Sequence, residues 1–538
     1  MKSIKYLSLI ICLGYCLSSC TKKLDEAYAN PNAPLGIRPV DLLQPICYQM
    51  GVNQQDDYRY IGLYAQVYSY RLTYAAGSTD AFTYFDKMGY RAGVDNSGAI
   101  WRMHYFNIGQ NLNTMRKSAV ANKQWDYVGA ADAIQAWSWL TLTDYHGEVI
   151  LKDAFDTSLL SFRYDTQEDV YAHVRNLCRS ALLNFDNTVS GGDFATGDVW
   201  FNGGDINKWR RFIYGTMARS FNHLTNKTIY QPDSVIFYCD KAMQVPGDDA
   251  TIKFQGNTSF NNTNSFYGSF RGNLGSFRQS KYIAELMKGT YAPFTGVDDP
   301  RKWYMLMTAP DYTTFNGYSP VVGEGTTAAA VRPRNFWGAV GTTIPGVDSG
   351  RFMFRNNAEY PIMTSSEIQF MKAEAAFRKN DKTTARAAYL NGISQHMDML
   401  TTKYELNIYP GKSLNTAGVK AAFLANPVVA PSAANLTLSH IMQQKFIALW
   451  GYSVLETWTD LRRYHYNSGI DPMTTLPVYN GWTPVSNTDL WIDNGNDKLA
   501  YRVRPRYNSE YIWNIAELIR IGGNLANYHT KEMWFSLP

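Results

Sequence analysis

The sequence predicts a mainly α-helical fold interrupted by a long loop-rich insert. Three observations lead there. Apolar residues recur at helical spacing over two zones, about 40–245 and about 360–465. Ser, Thr and Asp stand at helix-start positions in both zones. Between them, at about 246–350, the composition shifts to Gly, Asn, Thr, Ser and aromatics, which is the chemistry of loops. The chain has 538 residues, 45 % of them apolar, enough to bury a large core. Its 51 basic and 46 acidic residues leave a net charge of +5 with no Lys/Arg block, which excludes a nucleic-acid footprint. Aromatics reach 14 %, including 38 Tyr, a residue that packs like a hydrocarbon yet keeps a polar tip for a ligand.

The N-terminus reads as an address. Lys2 and Lys5 precede an apolar run from Tyr6 to Leu17, too short to cross a bilayer but suited to a signal peptide. Leu17-Ser18-Ser19-Cys20 then forms a lipobox: an aliphatic residue, two small ones and a Cys whose thiol takes the lipid. Residues 1–19 are thus expected to be a lipoprotein signal and Cys20 the lipidation site, with acyl chains as the membrane anchor. Residues 20–38 form an extended tether, since Pro31 and Pro34 block helix there. Residues 39–538 are expected to form one domain.

Within that domain, Tyr60, Tyr64 and Tyr68 fall at i, i+4, i+8 on one stripe. Trp101, Tyr105, Ile108 and Leu112 make a second stripe, and Ile134, Trp137 and Leu140 mark a helix from Tyr127 to Leu142. Thr166 with Asp169 starts a helix through Val170–Leu183, and Asp205 caps Ile206–Thr225. Ser280 opens Lys281–Lys288, with Gly289 as its C-terminal stop. Thr364-Ser365-Ser366-Glu367 is a capping box ahead of Ile368 and Met371. Once Cys12, Cys16 and Cys20 are set aside, Cys47, Cys178 and Cys239 remain, widely spaced and expected to be buried free thiols.

Catalytic signatures fail in turn. HExxH and GxSxG are absent, and the eight His never pair at i, i+4. Gly323-Glu324-Gly325-Thr326-Thr327-Ala328 imitates a dinucleotide loop but lacks a clear strand–helix frame. A carboxylate pair such as Glu359 with Asp299 would suit a secreted glycan or peptide hydrolase, the alternative reading, but nothing marks such a pair. No cofactor or metal is implied.

Six segments, in order, resemble one family. Asp144-Tyr145-His146-Gly147-Glu148-Val149-Ile150 with Asp153-Ala154 is similar to its D-x-x-G-[DE]-[VI]-P turn, with Ile150 in place of Pro. Gly204-Asp205 with Lys208-Trp209 and Arg219 follows, then Asp299-Pro300-Arg301. Glu367 with Phe370 and Ala373-Glu374-Ala375 is next. After it come Gln444-Lys445, Gly451, Glu456, Trp458 and Asp460-Leu461-Arg462-Arg463. Arg506-Tyr507-Asn508-Ser509-Glu510 is the last, with Asn508 where Pro is usual. Behind a lipobox, this series resembles the SusD/RagB-like nutrient-binding outer-membrane lipoproteins of Bacteroidetes. The resemblance implies tetratricopeptide-like helix pairs forming an α-α superhelix, with inserted loops carrying the binding surface. It also implies a cell-surface location and partnership with a SusC-like TonB-dependent transporter barrel. The ligand would be an oligosaccharide, or an oligopeptide in RagB-like members.

The motif residues themselves read as scaffold. Ligand contact is expected from loops that mix rings with Asn, Asp and Arg. Residues 74–96 offer Tyr74, Tyr84 and Phe85, and residues 311–337 offer Tyr312, Tyr318 and Trp337. Phe260, Phe266, Tyr267 and Phe270 form a weaker third group.

Overall fold

The first long helix, α1 (Pro39–Tyr64), starts on a Pro, whose fixed φ suits the first helical turn. It stops at Tyr64 because Ala65 N–H bonds to Ile61 O and Val67 N–H reaches back to Gly62 O, with Gln66 at φ +51°. Tyr68 therefore leaves the expected Tyr60/Tyr64 stripe and begins strand β1 (Tyr68–Tyr70). Its ring folds back onto α1 over Gly62, where a Cβ would lie 2.6 Å from the Tyr68 ring. The computed structural model describes residues 37–73, 78–187, 192–256, 263–268, 273–325, 327–337, 350–406, 408–495 and 497–538. The signal peptide, Cys20, the tether up to residue 36, Tyr74, Phe260 and Phe270 lie outside the described residues.

The remaining long helices follow as neighbours in space. They are α2 (Gly109–Ala121), α3 (Trp125–His146), α4 (Gln167–Phe185), α5 (Ile206–Asn222) and α6 (Pro232–Lys241). After the insert come α7 (Ser365–Arg378), α8 (Lys382–Lys403), α9 (Leu438–Leu449) and α10 (Val454–Arg463). Helix α3 packs on α4, α5 on α6 and α7 on α8, and α6 then packs on α7, which stacks the helix pairs. The expected caps form. Thr166 accepts from Asp169 N, Asp205 from Asn207 N at 2.8 Å, Ser280 from Ile283 N, and Thr364 from Glu367 N at 3.2 Å.

Two small antiparallel sheets staple the insert to the helices. Strand β1 pairs with β3 (Phe277–Gln279), Tyr68 opposite Gln279 and Tyr70 opposite Phe277. Strand β2 (Ala250–Lys253) pairs with β4 (Glu359–Met363), Lys253 opposite Glu359, so both ends of the insert are fixed. One continuous apolar core runs from Val40 to Phe535. Cys47, Cys178 and Cys239 are free and buried in it, and burial pushes each thiol up.

A buried polar network joins the helices. Arg219 on α5 forks onto Glu367 on α7 at 2.6 and 2.8 Å. The Glu367 carboxylate therefore serves this ion pair and does not return to the Thr364 backbone, so only the Thr half of the expected capping box forms. His223 sits between Glu456 on α10, at 2.8 Å, and Asp144 on α3, at 3.1 Å. Arg463 pairs with Glu374 and Asp460, and Lys445 on α9 closes on Asp460 at 2.8 Å. Arg462 donates instead to the carbonyls of Asp144 and Tyr501 and lies 3.8 Å over Trp458. The family-like segments thus form the internal frame, as their local chemistry suggests.

Candidate functional site

The two loop regions singled out in the sequence meet one another. Asp80 caps the short helix Ala81–Asp86 by accepting from Phe82 N at 3.0 Å. That helix presents Phe82 and Phe85 inward: Phe82 stacks on Tyr60 at 4.9 Å and Phe85 on Tyr64 at 5.1 Å. The insert docks against its end, where Val321 N–H donates to the Asp86 carboxylate at 2.5 Å. Burial pushes Asp86 up to about 7, opposed by that backbone donor. Further along, Glu324 N–H bonds to Arg71 O at 2.7 Å, and its carboxylate pairs with Arg71 at 3.1 Å and Arg332 at 2.8 Å. Gly323, at φ +57°, permits this approach: a Cβ there would lie 2.6 Å from Arg71 O. Thr73 Oγ1 donates to Val322 O at 3.1 Å.

Two groups of accessible rings result. Tyr84 is half-buried, with its ring 4.4 Å from that of Trp491. Trp491 is held by its backbone N–H on Lys87 O at 3.0 Å and lies over Gly89, where any Cβ would collide with its side chain. The second group centres on Tyr312, 56 % exposed. Arg334 lies 3.6 Å over its ring, and Tyr409 is 6.1 Å away. Trp303 joins Tyr409 at 5.3 Å, with Lys412 4.7 Å over the indole. Asp311 pins the turn beneath Tyr312 by accepting from Thr313 N and Thr314 N, each at 2.9 Å. The Thr314 hydroxyl and these amides hold its carboxyl well below the usual range.

Three expected contact residues are not at the surface. Phe85 and Trp337 are buried with 0 % and 1 % exposure, and Tyr318 with 4 %. Phe85 belongs to the α1 core, and Tyr318 is bridged to Ser280, so Lys281 N–H bonds to its carbonyl at 2.8 Å. These rings pin their loops and offer no face to a ligand. Tyr84 and Tyr312 remain accessible. The third group does not stand out either, since Tyr267 is buried and Phe266 packs on the core under Arg59. Sequence reasoning passed over Trp303, Tyr409 and Trp491. Trp303 stands two residues after Arg301 of the Asp299-Pro300-Arg301 segment, and that proximity was the available signal.

Neither carboxylate weighed for hydrolysis is free. Asp299 is gripped by Arg301 at 3.0 and 2.6 Å, and Glu359 by Lys403 and Thr251, each at 2.8 Å. The buried trio Asp144, His223 and Glu456 brings its ligand-type atoms within 4.8 Å of one another. Burial alone would push His223 down, but the two carboxylates raise it to about 9, which favours an imidazolium bridging Asp144 and Glu456. Among the described residues no helix is long and apolar enough to cross a membrane.

Helix pairs are stacked here with ring-bearing loops inserted between them. A family model described as SusD-like, starch-binding associating with outer membrane, matches residues 31–475. The chain belongs to the SusD-like family, and it is a binding protein rather than an enzyme. Solved structures agree on the fold. A SusD homolog from Bacteroides fragilis superposes with a TM-score of 0.68 at 17 % identity, covering 93 % of this chain and 100 % of that one. A SusD/RagB family protein from Bacteroides thetaiotaomicron gives 0.64 at 18 %, covering 93 % and 99 %. A chitin-binding SusD homolog from Flavobacterium johnsoniae gives 0.64 at 18 %, covering 93 % and 98 %. A search of curated proteins gave no match.

Proposed function

We propose that this chain is a cell-surface lipoprotein, acylated at Cys20, that captures an oligomeric glycan and delivers it to a SusC-like TonB-dependent outer-membrane transporter. One observation carries the reading: accessible rings are held in place, Tyr84 against Trp491 and, on the insert, Tyr312 and Trp303 about Tyr409, the last two rings beside the Arg334 guanidinium and the Lys412 ammonium. Flat rings stack on sugar faces, while the cations and the polar loop groups supply directional hydrogen bonds to hydroxyls. The family description as starch-binding and the chitin-binding homolog support a glycan. Tyr74 stays in the proposed site on its sequence position alone.

Calorimetric titration against malto-oligosaccharides, chito-oligosaccharides and a set of oligopeptides tests this. Glycan heat that falls in Tyr84→Ala and Tyr312→Ala is the expected result. Peptide heat alone would move the ligand class to oligopeptide, and unchanged titrations in both variants would remove these loops from the site. Cys20→Ala should release the chain from the outer-membrane fraction; a variant that stays acylated and sedimenting would refute the anchor.

A further inference from the structure

We propose that the face around the two π-helical turns, Met103–Ile108 and Tyr507–Tyr511, is a docking surface for a protein partner that inserts an apolar side chain beside a carboxylate. The proposal rests on the reading that this chain works with another envelope protein. It lies outside the loop surface assigned above to the ligand.

The two π-turns line one cleft of about 520 Å³, with Trp101 and Tyr105 among its walls and Phe106 also lining it, 71 % exposed. Turns of this kind add a residue to a helix and recur at functional sites. The loop carrying Leu160 is tied to the second turn through Asn514: Ser161 Oγ and Phe162 N–H both donate to Asn514 Oδ1, at 3.1 and 3.0 Å, and Asn514 Nδ2 donates to Glu510 of the turn at 2.9 Å. The residues next to that junction, Leu160 and Trp513, are 93 % and 77 % exposed, and Ile512, next to Trp513 in the chain, is exposed as well. Large apolar side chains rarely stand in such a group on a surface that meets only water. Phe106 and Phe162 line the cleft, and Leu160 stands two residues before Phe162; a concavity next to exposed apolar side chains is where an interface buries its anchor residue.

Charge defines the rest of the partner. Arg102 lines the cleft, exposed, and Arg163 follows Phe162 on the Leu160 loop; neither has a carboxylate partner among the described residues. Arg506, by contrast, is engaged with Asp95 at 2.7 Å. Two acids also line the cleft, but Asp156 accepts from Ser158 N–H and Oγ and Glu510 from Tyr164 and Asn514; the two guanidiniums with no carboxylate partner complement a carboxylate next to an apolar knob. A membrane surface fits less well, because it presses on convex apolar projections and leaves a concavity unfilled.

The test places the photocrosslinker p-benzoylphenylalanine at position 106, 160 or 513 of the full-length chain in its own bacterium. Phe237, exposed elsewhere on α6, serves as control position. The expected result is a protein adduct from the first three positions and not from 237. Mass spectrometry should map that adduct close to an Asp or Glu of the partner, and Arg102→Glu should lower its yield at 513 several-fold. Adducts only to lipid, only to a second copy of this chain, or equal at position 237 would overturn the proposal. If the mapped partner is not an outer-membrane transporter, the docking face stands and the transporter reading above fails.

Discussion

Arg219 and Glu367, 148 residues apart in sequence, meet as a two-pronged ion pair with neither side chain exposed to water. Arg219 also donates to Ile362 O at 2.9 Å, so one guanidinium locks α5 to both β4 and α7 across the insert. Glu367→Ala leaves that guanidinium buried without its partner. A cost of about 3–5 kcal/mol follows for removing one member of a buried pair. Denaturant unfolding should show it, with glycan affinity unchanged in the folded fraction. A loss under about 1 kcal/mol, the value of an ordinary cap, would return Glu367 to a capping role.

His223 makes the same frame sensitive to alkali. Its folded pKa of about 9 exceeds the value of about 6.5 expected in an unfolded chain. Protonation therefore favours the folded state: the contribution is complete below pH 6.5 and is lost as pH rises through 9. The groups facing it are Glu456 from α10, Asp144 from α3 and the Tyr171 hydroxyl from α4, with Arg219 3.6 Å from the same Glu456. The shift corresponds to about 3 kcal/mol. Thermal midpoints measured from pH 6 to 10 should fall more steeply for the natural protein than for His223→Gln. Parallel curves would show that the imidazole is neutral throughout.

Much of this frame was legible in the sequence, because helix starts and apolar stripes are local signals. Thr166, Asp205, Ser280 and Thr364 cap where their spacing places them. Arg463 finds Glu374, whereas Glu456 turns to Arg219 and His223. What the sequence could not convey was orientation. In a loop no periodicity separates an inward ring from an outward one, so Phe85 and Tyr84, adjacent residues, part company: one enters the core and the other meets Trp491. Trp491 itself comes from about 400 residues away and is admitted by the missing side chain of Gly89, a pairing with no local trace.

Gly323 fixes the approach of the insert to the Arg71 segment beside the proposed ligand loops. Its φ of +57° is strained for any other residue, and a methyl group would push against the backbone of Arg71 and Leu72. Gly323→Ala should break the Glu324 N–H to Arg71 O bond and displace the segment through Tyr318. The expected outcome is a larger loss in oligosaccharide affinity than in thermal stability. Proteolysis should also become faster between residues 310 and 330. Native affinity with a native digestion pattern would show that the insert is positioned by other contacts.

Trp303 and Trp337 separate stacking from packing within one insert. Trp337 is fully buried, close to Gly350, and its backbone N–H donates to Asn335 Oδ1 at 3.0 Å. Trp337→Ala should therefore open a cavity and cost about 3–5 kcal/mol, so any lost binding would track lost folding. Trp303 is only half-buried and carries Lys412 over one face. Trp303→Ala removes an accessible ring at a smaller stability cost and should weaken oligosaccharide binding in protein that stays folded. Circular dichroism melts and calorimetry on the same two variants distinguish the outcomes. A stable Trp337→Ala with reduced affinity would mean that its indole reaches the ligand after all, through a movement of the loop that buries it here.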